Sequence, residues 1–345
     1  MAGTKRPRRP RGSTAGVTLA DVAALAGVSE VTVSRLLRNK PYISPETKER
    51  VLAAIREVGY LPNRIAGTLA SAEASNLVGV IIPSLTNIVY PEVLQGIHVA
   101  CGTAGLQPVV GVTNYDTAIE ERLVGSLLSW RPTALLVAGF EHTEETRHQL
   151  QHSRVRVAEL MDIDSEPIDI AIGMSHRRAG HATASHLVQR GYRRFGYVGH
   201  DWQADRRARI RYEGLCEGLA EAGLSVGDRA IFAGPSSVAA GKSMLAELLD
   251  RAPDLDAVVF SNDDMAVGGV FHSLACGIAL KERLAIFGFN GIEIGQSLPI
   301  PLSTVRSNRF RIGKVAIETV LAGAERPHAP VVVDTGYEIV EGGTA

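Results

Sequence analysis

From Leu77 onward, short apolar runs alternate with amphipathic stretches. "LVGVIIPSL" reads as a buried strand, and "YPEVLQGIHVACGTAG" as an amphipathic helix ending at Gly105. "QPVVGVT", "ALLVAGF", "RVRVAELM", "IDIAIGM", "RFGYVGH", "LDAVVFSND" and "LAIFGFN" continue the strands. "TAIEERLVGSLLSW", "GHATASHLVQRG", "RYEGLCEGLAEAG" and "MAVGGVFHSLACG" continue the helices. Strands that are apolar throughout are buried on both faces, and parallel sheets covered by helices bury them that way. The alternation runs for more than 200 of the 345 residues, which predicts two α/β lobes with parallel sheets. At 45% hydrophobic and 21% charged, the chain can fill both cores. Ligands of such lobes sit at the carboxyl ends of strands, in the cleft between lobes. The expected two-lobed unit spans 77–345. Lobe 1 takes about 77–174 plus 307–332, and lobe 2 about 175–303 plus 333–345.

The first 76 residues differ in charge. They hold 12 Lys and Arg against 6 Asp and Glu, a net +6, while the remainder holds 24 against 31, a net −7. A basic module on an acidic body points to a polyanion partner for the module alone. Residues 1–16 read as a disordered basic arm: Lys5, Arg6, Arg8, Arg9 and Arg11, broken by Pro7 and Pro10. No apolar run follows it, so it is not a secretory signal, and no apolar run in the chain approaches membrane-spanning length.

Residues 17–61 predict an all-α helix-turn-helix module. Thr18-Leu-Ala-Asp21 is a capping box with Asp in the acidic position. Gly27 ends the first helix and Ser29 caps the second, "SEVTVSRLLRN". Ser44, Pro45 and Glu46 start a third helix, which Gly59 stops. Glu30, Val31, Thr32, Ser34 and Arg35 crowd the N-terminal half of the second helix, the half that a recognition helix turns to the major groove. Arg35 suits guanine O6 and N7, Glu30 cytosine N4, and Val31 a thymine methyl. Thr32, Ser34 and Arg38 suit phosphates. With the cap residues Thr18 and Ser29, they form the set expected to face double-stranded DNA.

Residues 62–76 form a linker with an unexpected pattern. "LPNRIAGTLAS" carries Asn63 after Pro62 and apolar Ile65, Ala66, Leu69 and Ala70 at helical spacing. It is too short to be a stable helix in water, and Gly67 costs it roughly 1 kcal/mol more.

Enzyme motifs fail one by one. "GPSSVAAGKS" resembles a phosphate loop, but Ser236 stands where the spacing requires glycine or alanine, and Ser236 or Ser237 instead caps a helix. His176, His181 and His186, five apart, cannot share one helix face, so no metal or other cofactor is expected. Cys101, Cys216 and Cys276 are scattered, with no CxxC, as in a reducing cytosol. What remains is cleft chemistry. "DRRARIR" supplies Arg206, Arg207, Arg209 and Arg211, and "TVRSNRFR" supplies Arg306, Arg309 and Arg311. Of Asp263-Asp264, Asp263 is expected to face a ligand and Asp264 to serve the helix start.

The run from "TLADVAALAGVSEVTVSRLLRNK" through "PNRIAGTLAS" resembles the DNA-binding headpiece of the LacI/GalR family of transcriptional regulators. The resemblance implies that "LPNRIAGTLAS" is a hinge helix that orders when a dimer sits on its operator. Asn63 and Arg64 then fall on backbone-contacting positions, and Leu69 on the leucine that wedges into the minor groove. It places Tyr90, Arg211, Asn262, Asp263, Asn290, Ser307 and Arg309 on effector contacts of a periplasmic-binding-protein-like domain. Asn262, Asp263 and Asn290 suit sugar hydroxyls, while Arg211 and Arg309 suit a carboxylate or phosphate. "IIPSLTN", "ELMD" and "IFGFNGIEIGQ" resemble the gluconate-operon repressors within that family, which implies a sugar-acid effector. Two residues depart from the family pattern. Asn290 stands where Asp is frequent, and Gly67 where a longer side chain is common.

The expectation is therefore a cytoplasmic, nucleoid-associated bacterial repressor, not an enzyme. It acts as a homodimer on a pseudo-palindromic operator, without the tetramerising tail that a trailing heptad would signal. Its partners are DNA and a sugar acid, and no membrane.

Overall fold

The computed structural model describes residues 17–37, 41–60, 75–202, 205–323 and 329–345. The chain divides into two units, Met1–Glu73 and Ala74–Ala345.

In the first unit, α1 (Leu19–Ala26), α2 (Glu30–Leu37) and α3 (Pro45–Val58) form the helix-turn-helix module. The Thr18 hydroxyl accepts from Asp21 N, and the Asp21 carboxylate accepts from Thr18 N at 2.8 Å, so the capping box forms as read. Gly27 ends α1 with φ 65°, a left-handed conformation that would strain any other residue. Ser44 caps α3, and Pro45 takes its first turn. Val22, Ala23 and Ala26 of α1 meet Val33 of α2 and Val51 and Ala54 of α3 in a small core. Each fully buried valine there contributes roughly 1.5–3 kcal/mol.

The second unit follows the alternation. Its first sheet has the order β11-β5-β4-β3-β1-β2. These strands are β1 (Leu77–Ile82), β2 (Gln107–Val112), β3 (Ala134–Ala138), β4 (Arg156–Asp162), β5 (Ile170–Met174) and β11 (Val331–Asp334). The second sheet has the order β12-β10-β9-β8-β6-β7. It comprises β6 (Phe195–His200), β7 (Val226–Phe232), β8 (Ala257–Phe260), β9 (Ala285–Asn290), β10 (Ser303–Ser307) and β12 (Tyr337–Val340). All pairings are parallel except β12 against β10.

Successive residues of one strand enter different cores. Val80 and Ile82 lie in one cluster and Ile81 in another; Leu136 and Leu135 separate likewise. In the second sheet Val258 and Phe260 face one way, and Ala257 and Val259 the other. Both faces are covered, which is why these strands carry no polar alternation.

The helices are α4 (Tyr90–Thr103), α5 (Thr117–Ser129), α6 (Glu144–His152), α7 (His176–Gln189), α8 (Arg206–Glu221), α9 (Val238–Arg251), α10 (Asp263–Ala275), the single turn α11 (Glu293–Gln296) and α12 (Arg309–Leu321). Three helix pairs cross through reciprocal glycines: Gly96 with Gly313, Gly180 with Gly214, and Gly241 with Gly268. A Cβ on any of the six would stand 1.9–2.1 Å from a facing backbone oxygen. Gly241 thus belongs to the α9–α10 crossing and not to a phosphate loop, and Ser237 is the residue that caps α9.

The crossover between lobes falls later than the sequence suggested. β10 stays in the second sheet through Ser307, and β11 remains in the first sheet to Asp334. Among the described residues no helix is long and apolar enough to cross a membrane, and no cluster of His, Cys, Asp or Glu is arranged to hold a metal ion.

Candidate functional site

Two surfaces carry the chemistry. On the first unit, Ser29 Oγ accepts from Thr32 N and lies 2.9 Å from Thr32 Oγ1, fixing the start of α2. Glu30, Val31 and Arg35 are exposed on that helix, and Val31 is 68% exposed despite being aliphatic. Thr32 and Ser34 are half-buried beside them, while Val33 is sealed inside. Arg35 donates to the Pro41 carbonyl at 3.3 Å, which holds the guanidinium against the following loop. Of the set read from the sequence, Ser29, Glu30, Val31, Thr32, Ser34 and Arg35 lie along α2 and its cap, with Arg35 in the last turn, while Thr18 caps α1. Arg38, Asn63, Arg64 and Leu69 lie outside the described residues.

The second surface is the cleft between the lobes, about 280 Å³ in volume. It is built from carboxyl ends of strands. Asn87 follows β1, Met174 ends β5, His200 ends β6, Ser236 follows β7, Asn262 and Asp264 follow β8, Asn290 ends β9 and Ser307 ends β10. Of the effector residues expected from the sequence, the cleft gathers Arg211, Asn262, Asn290 and Ser307. Asn262 Oδ1 caps α10 by accepting from Met265 N. Asn290 lines the cleft in a left-handed conformation, φ 124°, and its carbonyl accepts from Arg309.

Asp263, Tyr90 and Arg309 do not line the cleft, which corrects three expectations. Asp263 is fully buried. It accepts from Thr304 Oγ1 at 2.7 Å and from Ile292 N at 2.9 Å. Burial pushes its carboxyl up to about 6, against the lowering effect of those bonds. Asp264 takes the cleft position instead, because consecutive residues in a first helical turn point in different directions and the β9–α11 loop needs an acceptor. Arg309 is 3% exposed and joins Glu92 of α4, at 2.7 Å, to the Asn290 carbonyl. It stands behind the cleft wall. Tyr90 is buried, with its hydroxyl pushed up to about 12 by burial. It lines a smaller adjoining cavity of about 130 Å³.

Arg211 packs its guanidinium over the Phe289 ring, 3.8 Å from the ring centre. It donates to Ser261 O at 2.8 Å and contacts His176 Nδ1 at 3.0 Å. His176 Nε2 lies 2.9 Å from Met161 O. A carbonyl only accepts, so Nε2 carries the proton and Nδ1 accepts from Arg211. Burial, with Arg211 and Arg207 beside it, holds His176 well below its ordinary value, so it stays neutral. His200 is held down mainly by burial too. Asp205 caps α8, and although burial works against it, Arg211 and Arg207 keep its carboxylate at about 2.

Arg207, His176, His200, Asp205 and Asp264 are cleft residues that were not singled out as effector contacts. Arg207 had a signal, since it belongs to the arginine group of "DRRARIR". His176 was considered only as a metal ligand. His181 pairs with Glu221 and His186 packs on Phe287, so the three histidines diverge.

The chain resembles known proteins over nearly all its length. Residues 18–63 match the family of bacterial regulatory proteins named for lacI, and residues 184–345 match the periplasmic binding protein-like domain. The transcriptional regulator GntR of Pseudomonas aeruginosa is 38% identical over 99% of this chain and 98% of its own. The regulator IdnR of Escherichia coli K12 is 33% identical over 95% of this chain and 98% of its own. A LacI-family transcriptional regulator from Silicibacter pomeroyi superposes with TM-score 0.87 at 44% identity, covering 95% of this chain and 99% of that one. With its helix-turn-helix unit and two-lobed α/β unit, the chain belongs to the LacI family of bacterial transcriptional regulators, and the relatives it matches are named as regulators rather than enzymes.

Proposed function

We propose that this regulator is a dimer that holds a pseudo-palindromic operator and is released by a sugar acid of the gluconate or 6-phosphogluconate type. It then controls genes of sugar-acid catabolism, in the bacterial cytoplasm and at the nucleoid. The observation that carries this reading is the cleft lining. Arginine side chains stand among the amides and hydroxyls of Asn87, Asn262, Asn290, Ser236 and Ser307, drawn from strand ends of both lobes. An anion bearing several hydroxyls satisfies such a set. The relatives named GntR and IdnR are consistent with it.

Dimerisation is supported by apolar side chains exposed on both lobes: Val99 on α4, and Phe271 and Leu274 on α10. In the proposed mechanism the two α2 helices read half-sites, with Glu30, Val31, Thr32, Ser34 and Arg35 at the DNA. Ligand in the cleft alters the angle between lobes and hence the spacing of the segments leading to the headpieces. A sugar-acid binding protein without a regulatory role would have no use for the exposed face of α2.

Calorimetry on the full chain with gluconate, 6-phosphogluconate and 2-ketogluconate tests the reading. One of the three is expected to bind at one site per chain. Binding of a neutral sugar in preference to all three acids would overturn it.

A further inference from the structure

The two arginines that the sequence marks for a carboxylate are already occupied. Arg309 lies behind the cleft wall, between Glu92 and the Asn290 carbonyl. Arg211 has its face covered by Phe289, and both terminal nitrogens engage His176 and Ser261. A third guanidinium differs. Arg207, in the first turn of α8, lines the cleft and makes no ion pair among the described residues. Arg156 pairs with Asp169 and Arg309 with Glu92, whereas Arg211, which also lacks an ion pair, spends both terminal nitrogens on His176 and Ser261.

Resting on the sugar-acid reading, we propose that Arg207 is the group that reads the effector's carboxylate and sets the preference for acids over neutral polyols. Arg211 then serves as the wall on which the carbon chain lies.

Three features support this. The first is positioning. Arg207 donates through one terminal nitrogen to the hydroxyl of Tyr90 at 2.9 Å, and that ring is buried in the first lobe. The bond fixes one edge of the fork and directs the remaining donors. The second is the surroundings. Arg207 stands where the cleft meets the smaller cavity, and that cavity is lined by Asp116, Glu120 and Glu141. Asp201, Asp205 and Asp264 line the cleft as well, so acids stand on both sides of Arg207, and the cleft side is the one that adds the hydroxyl-binding groups Asn262, Asn290 and Ser307. The third is desolvation. The Asp205 carboxylate acts on Arg207 and Arg211 together without an ion pair to either, and a bidentate carboxylate supplies the direct partner that a recessed guanidinium lacks. Asp205 does not fill this role. One of its oxygens caps α8 at Ala208 N, and it forms no ion pair with Arg207.

The arrangement also reaches across the lobes. Arg207 belongs to α8, which packs on α7 in the lobe of the second sheet, while Tyr90 opens α4 beside the first sheet. An anion seated on Arg207 bears directly on a contact between lobes.

The test is calorimetry on the full chain with D-gluconate and D-glucitol, which share a carbon chain and differ in the charged end. The intact protein is expected to prefer gluconate. In Arg207→Gln, gluconate affinity is expected to fall roughly 10- to 100-fold, the range of a lost charge-assisted bond, with glucitol affinity unchanged. Arg207→Lys keeps the charge without the fork, so it should retain a weaker preference for the acid. Thermal melts of each variant report whether it folds. An Arg207→Gln protein that still prefers gluconate as strongly as the parent overturns the assignment. So does loss of the preference in Arg211→Gln alone, which would seat the carboxylate there. A parent protein that binds neither gluconate nor any other sugar acid overturns the underlying reading instead, and this one with it.

Discussion

Gly180 couples the fold to the cleft, and a single methyl group tests the coupling. A Cβ at this position would stand 1.9 Å from the Arg211 carbonyl oxygen, where ordinary contact begins at 3.4 Å. Gly180→Ala therefore forces α7 and α8 apart by about 1.5 Å, the difference between those two distances. The obstacle is backbone, so no rotamer relieves it. Ala184, Leu187, Leu215 and Leu219, all buried along that pair of helices, lose close packing together. Overpacking costs typically 1–3 kcal/mol, and a backbone obstacle puts this case at the upper end, about 3 kcal/mol. For a unit of this size that is a fall in Tm of roughly 6–12 °C. The displaced atom belongs to Arg211, so the guanidinium also leaves the Phe289 ring and His176. Effector affinity should fall with stability. Calorimetric melting and a gluconate titration on the same sample measure both. A Tm within about 1 °C of the parent, with unchanged affinity, would refute the steric reasoning.

Other outcomes follow from the same geometry. His142 lies with Nδ1 2.6 Å from Glu120 and Nε2 3.2 Å from Glu159. Burial lowers it, but the two carboxylates outweigh burial and hold it up at about 9. Its contribution, on the order of 3 kcal/mol, is complete below about pH 6.5 and is lost as pH rises through 9. Urea unfolding across pH 6–10 should show that decline, and His142→Gln should flatten it; equal slopes would remove the histidine from the account. Arg309→Ala should cost roughly 1–3 kcal/mol by freeing the Asn290 carbonyl and Glu92, seen as a lower Tm, and an unchanged Tm would mean the link carries nothing. Arg35→Ala should relax operator preference at one G·C pair by about 1–3 kcal/mol, and uniform weakening on all DNA would make Arg35 a phosphate contact.

Much of the fold was legible because local and global signals agree. Strands buried on both faces leave unbroken apolar runs, and Thr18, Ser44, Gly27 and Gly59 mark helix ends by their chemistry. Several elements escaped: β7, β10, β11 and β12 among the strands, and α6, α11 and α12 among the helices. α6 is polar, with only Thr146 and Leu150 buried, so it gives little periodic signal. The short β12 takes its antiparallel place from β10, a partner distant in sequence. The cleft was legible in residue type but not in residue direction. Asp263 and Asp264 are adjacent, and only the β9–α11 loop decides which one turns inward. Arg211 and Arg309 look available until His176, Ser261, Glu92 and Asn290 are placed around them. Gly241 fails the phosphate-loop spacing in the sequence, but its packing role against the Met265 carbonyl shows only in the fold.

The central claim is that sugar acid and operator bind reciprocally through one coupled pair of states. Linkage requires the factor by which the acid weakens operator binding to equal the factor by which operator weakens acid binding. Fluorescence anisotropy of a labelled operator, with and without saturating gluconate, gives the first factor; calorimetry with and without operator gives the second. The account predicts two equal factors of roughly 5–150, the usual span of a coupling of 1–3 kcal/mol. An operator affinity that ignores every sugar acid bound in the cleft would contradict it.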